Sequence, residues 1–507
     1  MKTKRLILVL AILSLLCSPI AFAARSLEGK RCSNVGATKS LDSISYLCKK
    51  QGKKLTWRKS DITKVEDVNR IFSTDEGYFH NFSHPGDYDP SIPSQWIEFD
   101  RAYTGRKNAY RIKRYELGKS IPSTAETPAS ELLASQQCKI VDGNNDPFIR
   151  AFPPAGSHKE RKIAFGEYPK PVSTIQVVPI YSSDTAAPTR TPQQDYAKYF
   201  DYVKEYIEYA SDVPTKVEIR YPEKYLKFSK EIKPYKISHK MNGLHPTFAN
   251  DIVAEVDSHI DFSGATMAVV VVPSGTALDV IQQGPVGTMR TSEGTLYQTS
   301  SVYPDTYDSR IVLEFKNLAH PYWWIHEFFH IGLPLDDHYG ENSSNPNSEY
   351  GLGWWTLMTP GGGDLSTWEK WILGYISDSQ VRCISKDKIS TSWIVPTSVK
   401  STKNKMIVVP LSSTKAIIME SIRAAGLYFK HPKETWGVLT YVLDVTKEQH
   451  GMGMKLILPT TRNASKGPFY FAEAPLRNGE SVTYEGVKIT VVESGNFGDV
   501  VKVEKVS

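Results

Sequence analysis

From about Val172 onward, hydrophobic positions fall into segments of two alternating periods. Val172 to Tyr181 (VSTIQVVPIY) is a compact β-branched run and predicts a strand. Gln194 to Ala210 sets Tyr199, Val203, Tyr206 and Ile207 three and four apart, which predicts an amphipathic helix. Lys216 to Arg220 alternates as a strand does, and His245 to Ser258 returns to helical spacing. Ala265 to Val272 (ATMAVVVV) is unbroken and apolar, as a central strand buried on both faces would be. Strands alternating with helices predict an α/β layered unit. Gly287 to Tyr303 carries Gly, Thr and Tyr at strand-like spacing and reads as an edge strand, open to pairing with an extended segment.

The pattern shortens toward the C-terminus. Met406 to Pro410, Ala416 to Ile422, Val438 to Asp444, Lys455 to Leu458, Val487 to Val492 and Val500 to Val503 are short β-rich runs separated by turn residues. Such spacing predicts a β-rich domain of sandwich type over 381–507. Residues 65–170 show no sustained period and read as a pro-segment or an accessory layer. At the N-terminus a basic start (Met1 to Arg5) precedes the apolar run Leu6 to Cys17 and the exit Ala21-Phe22-Ala23, which predicts a signal peptide over 1–23 and a secreted or cell-surface protein. That run is short for a membrane span, and no later stretch is long and apolar enough to cross a membrane.

Composition adds three constraints. A chain of 507 residues with 40% hydrophobic and 23% charged residues has material for several globular units. A net charge of +6 gives no case for nucleic-acid binding. The charge is uneven, however: residues 25–64 hold eleven Lys or Arg against three acids. With Cys32 and Cys48 inside it, the block 24–64 reads as a small disulfide-closed β-module. Its charge favours an anionic cell-wall or surface polymer, or marks it as a solvated basic spacer. Beyond the signal peptide four cysteines remain, as suits disulfides in an exported chain. Cys32 pairs locally with Cys48, leaving Cys138 with Cys383. The alternatives for the second pair are two free buried thiols, or Cys138 as an inhibitory metal ligand.

One stretch carries chemistry. Between Pro321 and Gly332, residues suited to the start and end of a helix, stands Ile325-His326-Glu327-Phe328-Phe329-His330. Four residues apart on a helix, His326 and His330 share one face, one turn from each other. Two imidazoles so placed can hold one zinc ion, and Glu327 beside them can take a proton from bound water. The flanking aromatics predict burial, where a carboxylate between two histidines requires a counter-charge. Catalytic zinc uses three protein ligands and keeps a position open. Asp336, Asp337 and His338 stand together as candidates for the third, and the spacing from His326 selects Asp336. His338 or Tyr339 could help hold an oxyanion. Asp and Asn residues over Asp336 to Asn347 leave room for calcium without diagnostic spacing.

The runs HEFFHIGLPLDDHYG, GWWTLMTPGGG and STWEKWILGYI, in that order, resemble the immune inhibitor A family of secreted bacterial zinc metallopeptidases. The resemblance spans roughly 171–507 and is loose outside the site. It implies a zincin-like catalytic domain at 171–380, with His326 and His330 as zinc ligands, Glu327 as catalytic base and Met358 in the methionine turn beneath the metal. Its substrate would be a protein or peptide. The chain departs from the family where Gly332 follows His330 by two residues rather than three; aligning the Asp-x-Tyr element then selects Asp337, not Asp336. The fold expected is an α/β (α+β) zincin-like catalytic domain with a C-terminal β-sandwich-like domain and the small basic N-terminal module. The function expected is that of a secreted zinc-dependent endopeptidase; the alternative is a non-catalytic, peptidase-like surface protein that binds cell-wall polymer.

Overall fold

A computed structural model describes residues 26–33, 38–41, 44–52, 54–59, 120–141, 149–152, 172–238, 243–304, 321–333, 335–338, 351–353, 355–359, 363–423, 427, 436–447, 453–459 and 474–506. The expected signal peptide, Tyr339, the Asn-rich stretch to Asn347 and the glycines 361–362 lie outside these. Among the described residues the fold is mixed α/β, with many strands and few helices, and it holds two disulfides, Cys32–Cys48 and Cys138–Cys383. No helix among them is long and apolar enough to cross a membrane.

The chain divides into two compact units, 1–68 and 69–507. In the first, β1 (Thr38–Leu41), β2 (Ile44–Gln51) and β3 (Lys54–Lys59) form an antiparallel sheet in that order. Gly52 turns the tight connection between β2 and β3 with φ of 59°, where a Cβ would be strained. The backbone of Gly29 to Cys32 pairs along β3, which brings Cys32 beside Cys48. Lys30, Arg31, Lys50 and Lys54 are exposed, while Arg58 pairs with Glu28.

The second unit is built on a sheet ordered β5-β4-β7-β11-β8, from β4 (Thr174–Tyr181), β5 (Glu218–Arg220), β7 (Met267–Val271), β8 (Gly284–Pro285) and β11 (Thr299–Ser301); β6 (Leu226–Lys227) continues beside β4. The pairs among β5, β4, β7 and β11 are parallel. Alternation divides the side chains between two faces. Ile175, Val177, Met267, Val269 and Val271 pack with α1 (Pro192–Ala210) and α3 (Pro321–Gly332). Val178, Ile180, Ala268 and Val270 pack with Phe248, Ala249 and Ile252 of α2 (His245–Val256) on the other side. Thr191 starts α1 with a capping box, its hydroxyl accepting from the Gln194 amide and Gln194 reaching back.

Residues 289–301 depart from the expected edge strand. Met289–Thr291 (β9) and Gly294–Leu296 (β10) make a separate hairpin, and β11 lies between β7 and β8. Ser300 and Ser301 are thus already paired on both sides, because the chain folds the two-residue β8 back against β11.

Two further sheets follow. The five-stranded one runs β12-β14-β15-β16-β17, from Val381–Cys383, Met406–Pro410, Lys415–Ile422, Gly437–Asp444 and Met454–Leu456. The four-stranded one runs β13-β20-β19-β18, from Ser390–Ile394, Gly498–Lys505, Val487–Gly495 and Ser481–Tyr484. Along β14 and β15, Ile407, Val409, Ile417 and Met419 face the four-stranded sheet and share a core with Ile489, Val491, Val501 and Val503. Met406, Val408, Ala416 and Ile418 face the other way, onto Trp368 and Trp371 of α4 (Thr367–Ile372). A sheet buried on both faces ties the site helices to the C-terminal strands, so the expected boundaries at 170 and 380 both fall inside one compact unit. The described part of the expected pro-segment belongs to that unit too. Cys138 is bonded to Cys383, Leu133 bridges Cys383, and Ile149 bridges Leu335.

Candidate metal centre

Helix α3 runs from its proline to its glycine as the sequence signals predict. Ile325, Phe328 and Phe329 recur on the face that enters the core, and the Phe329 ring meets that of Tyr206 on α1 at 5.8 Å. The helix is thereby fixed in rotation, and His326 and His330 come out on another face. Their Nε2 atoms are 2.9 Å apart. The main chain then turns back through Leu335, whose amide donates to the Phe329 carbonyl at the helix end. This return brings Asp337 Oδ1 to 2.9 Å from His330 Nε2 and 3.1 Å from His326 Nε2. Among the described residues, His326, His330 and Asp337 form a group that could hold a metal ion.

Of the candidates read in the sequence for the third position, Asp336, Asp337 and His338, the one that converges with the histidines is Asp337. The chain presents Asp337, and Asp336 is buried outside the group. His338 is committed elsewhere, with its Nε2 3.1 Å from Glu369 Oε1. Burial works against charge on His338, but the Glu369 carboxylate outweighs it and raises the imidazole above its ordinary range. Burial likewise works against charge on Glu369, yet His338, Thr356 and Ser366 hold that carboxyl below its ordinary range. The two therefore form a buried ion pair. Cys138, in its disulfide, is not a ligand either. Glu327 lies half-buried on α3 between the histidines.

Carbonyl oxygens set the imidazole tautomers. His326 Nδ1 donates to Leu357 O at 2.8 Å, and His330 Nδ1 donates to Leu335 O at 2.7 Å. With the proton on Nδ1, each Nε2 of a neutral ring carries a lone pair. With both rings neutral, two lone pairs and a carboxylate oxygen converge. Such a set is stable around a cation. Zinc bonds of ~2.0–2.1 Å at tetrahedral angles separate ligand atoms by about 3.3 Å, close to the spacing seen here, and two nitrogens with one oxygen suit zinc. The residues fit the metal. Without one, burial disfavours the His326 cation, but Asp337 and Glu327 outweigh it and push the pKa up to about 9.

The Leu357 carbonyl belongs to a buried turn over 355–359 in which Met358 lies in the core with Phe328 and Phe329. Met358 O accepts from the His338 amide at 2.7 Å, so the turn also holds the Asp337 segment. Sequence reasoning missed Glu369, whose Oε2 accepts from Thr356 Oγ1 at 2.5 Å and from the Ser366 amide at 2.6 Å. The Ser-x-x-Glu pattern at 366–369 is legible as a helix start. Its approach to His338 is a tertiary contact with no sequence signal. Comparison of the chain with models of known protein families, with curated proteins and with solved structures gives no match.

Proposed function

We propose that this chain is a secreted, zinc-dependent endopeptidase of zincin-like architecture, akin to the immune inhibitor A enzymes in the order of its motifs. The observation that carries the reading is the convergence of His326 Nε2, His330 Nε2 and Asp337 Oδ1 at 2.9–3.1 Å, with both Nδ1 protons given to carbonyls. The burial of Met358 beneath the site helix and the packing of that helix on a mixed sheet support the architecture.

Bound there, zinc would lower the pKa of a water toward neutrality and polarise the carbonyl of a peptide. His326 and His330 supply neutral lone-pair donors that their carbonyl partners keep in one tautomer. Asp337 supplies one negative charge, which leaves a zinc site with net positive charge for a developing oxyanion. Glu327, one residue from His326, takes the proton of the attacking water on its carboxylate and returns it to the leaving amine nitrogen. The C–N bond breaks, and the products are one carboxylic acid and one amine.

The exposed Lys30, Arg31, Lys50 and Lys54 of the N-terminal unit support an anionic wall or surface polymer as a second partner. The test of the main reading is cleavage of casein or gelatin by the full chain, with and without a chelator, beside Glu327→Gln. The variant is expected to retain zinc and lose cleavage. Chelator-insensitive cleavage, or full cleavage by the variant, would refute the mechanism. Zinc binding with no cleavage of any protein would favour the non-catalytic surface protein.

A further inference from the structure

Four pieces of chain must meet at the metal centre: the helix with both histidines, the segment with Asp337, the turn whose Leu357 carbonyl orients His326, and the scaffold that holds the last two. Asp337 precedes His338, and Leu357 follows Thr356. Each of those neighbours reaches the same carboxylate. His338 Nε2 lies 3.1 Å from Glu369 Oε1, and Thr356 Oγ1 donates to Glu369 Oε2 at 2.5 Å.

Glu369 is itself anchored. Ser366 N donates to its Oε2 at 2.6 Å, and the Ser366 hydroxyl accepts from its amide at 3.2 Å, closing the capping box of α4. The next residue, Thr367, gives its amide to Glu420 Oε2 on β15 at 3.1 Å, and Trp368 gives its indole N–H to Arg150 O at 2.8 Å. His338, Thr356, Ser366 and Glu369 are all at least 98% buried, so water competes neither for these hydrogen bonds nor for the His338–Glu369 ion pair. Thr356 has a further part: its hydroxyl accepts from the Met358 amide at 3.2 Å, which shapes the turn around Leu357.

We propose that Glu369 is a positioning residue of the metal centre, clamping the Asp337 segment through His338 and the Leu357 turn through Thr356. The inference rests on His326, His330 and Asp337 being a metal site. It gives the C-terminal strands a part in that site, since Glu369 transmits their position to a ligand and to the carbonyl behind another ligand. Outer-sphere groups of this kind commonly change metal affinity by ~10–100-fold.

The test measures zinc affinity by competition with a chromophoric chelator, and the Tm with and without zinc, on the full chain. The proteins compared are the wild type, Glu369→Gln, His338→Gln, His338→Leu and His326→Ala. Glu369→Gln is expected to bind zinc about 10–100-fold more weakly and to gain less Tm from zinc than the wild type does. A purely structural role would lower both Tm values together and leave the increment unchanged. His338→Gln keeps an N–H near the Nε2 position and is expected to retain more affinity than His338→Leu. Wild-type affinity in Glu369→Gln overturns the positioning role while leaving the metal site standing. Should Glu369→Gln fail to fold, equal affinities in the two His338 variants overturn it instead. If the wild type takes no zinc, or His326→Ala binds as tightly, the positioning role and the metal site fall together.

Discussion

His326 Nδ1 donates to the carbonyl oxygen of Leu357 at 2.8 Å, across 31 positions of sequence. A helix residue and a buried turn are thereby locked to each other, and the imidazole has one tautomer in which to meet a metal. The matching bond from His330 to Leu335 makes the two rings equivalent donors. Loss of either ring leaves two ligands where zinc needs about three from the protein. His326→Ala and His330→Ala are each expected to drop from about one zinc per chain to nearly none after dialysis against dilute zinc. Metal content by atomic emission gives the answer, and a full complement in either variant would count against the site.

Asp337 and Asp336 are adjacent and both buried, yet only Asp337 Oδ1 stands within 3.1 Å of both imidazoles. Asp337→Asn keeps the shape and removes the charge. It is expected to weaken zinc binding more than ~100-fold, beyond the usual effect of an outer-sphere change. Asp336→Asn is expected to weaken it far less. A larger loss from Asp336→Asn in the same chelator competition would restore Asp336 as the ligand.

The difference between those two aspartates shows where sequence reasoning stops. His326, Glu327 and His330 are legible because helix geometry fixes their relation within one turn. The strands over 406–444 are legible because β-branched runs alternate between two buried faces, as Ile407 and Val408 do. Asp337 depends on how many residues the chain uses to turn after Gly332, and no local propensity sets that count. The pairing of Ser300 and Ser301 with β8 depends on a return of the chain from 284–285, so an interior strand read as an edge. Glu369 reads as a helix cap, and only the meeting of α4 with the His338 segment gives it a second task.

Glu420 should make stability depend on pH. It is fully buried, with Oε2 accepting from the Thr397 hydroxyl at 2.8 Å and the Thr367 amide at 3.1 Å. Burial pushes its carboxyl from 4.5 up to about 7. Below pH 4.5 the group is neutral in both folded and unfolded chains, and it costs nothing. Between 4.5 and about 7 the unfolded chain releases the proton while the folded chain keeps it, so stability falls as pH rises. Above about 7 the full cost is present, on the order of 3 kcal/mol for a shift of this size. Glu420→Gln removes the titrating group. Urea midpoints between pH 5 and 8 are expected to fall less steeply in the variant than in the wild type. Parallel slopes in the two proteins would show that Glu420 does not titrate as described.

The Cys138–Cys383 disulfide closes a span of 245 residues, with Cys383 on β12 of the five-stranded sheet and both cysteines buried in one core. A cross-link over so long a span mainly restricts the unfolded chain, and its loss commonly costs ~2–5 kcal/mol. The bond has a second consequence, because Ile149, eleven residues after Cys138, reaches the candidate metal centre. Ile149 bridges Leu335, and Leu335 O receives the Nδ1 proton of His330. The double variant Cys138→Ser, Cys383→Ser is expected to unfold at lower urea and, while still folded, to bind zinc more weakly than the wild type. Reduction of the wild-type protein under native conditions should move both quantities in the same direction. An unchanged urea midpoint would refute the stabilising role. A lowered midpoint with unchanged zinc affinity would confine the disulfide to the sheet and leave Leu335 held by α3 alone.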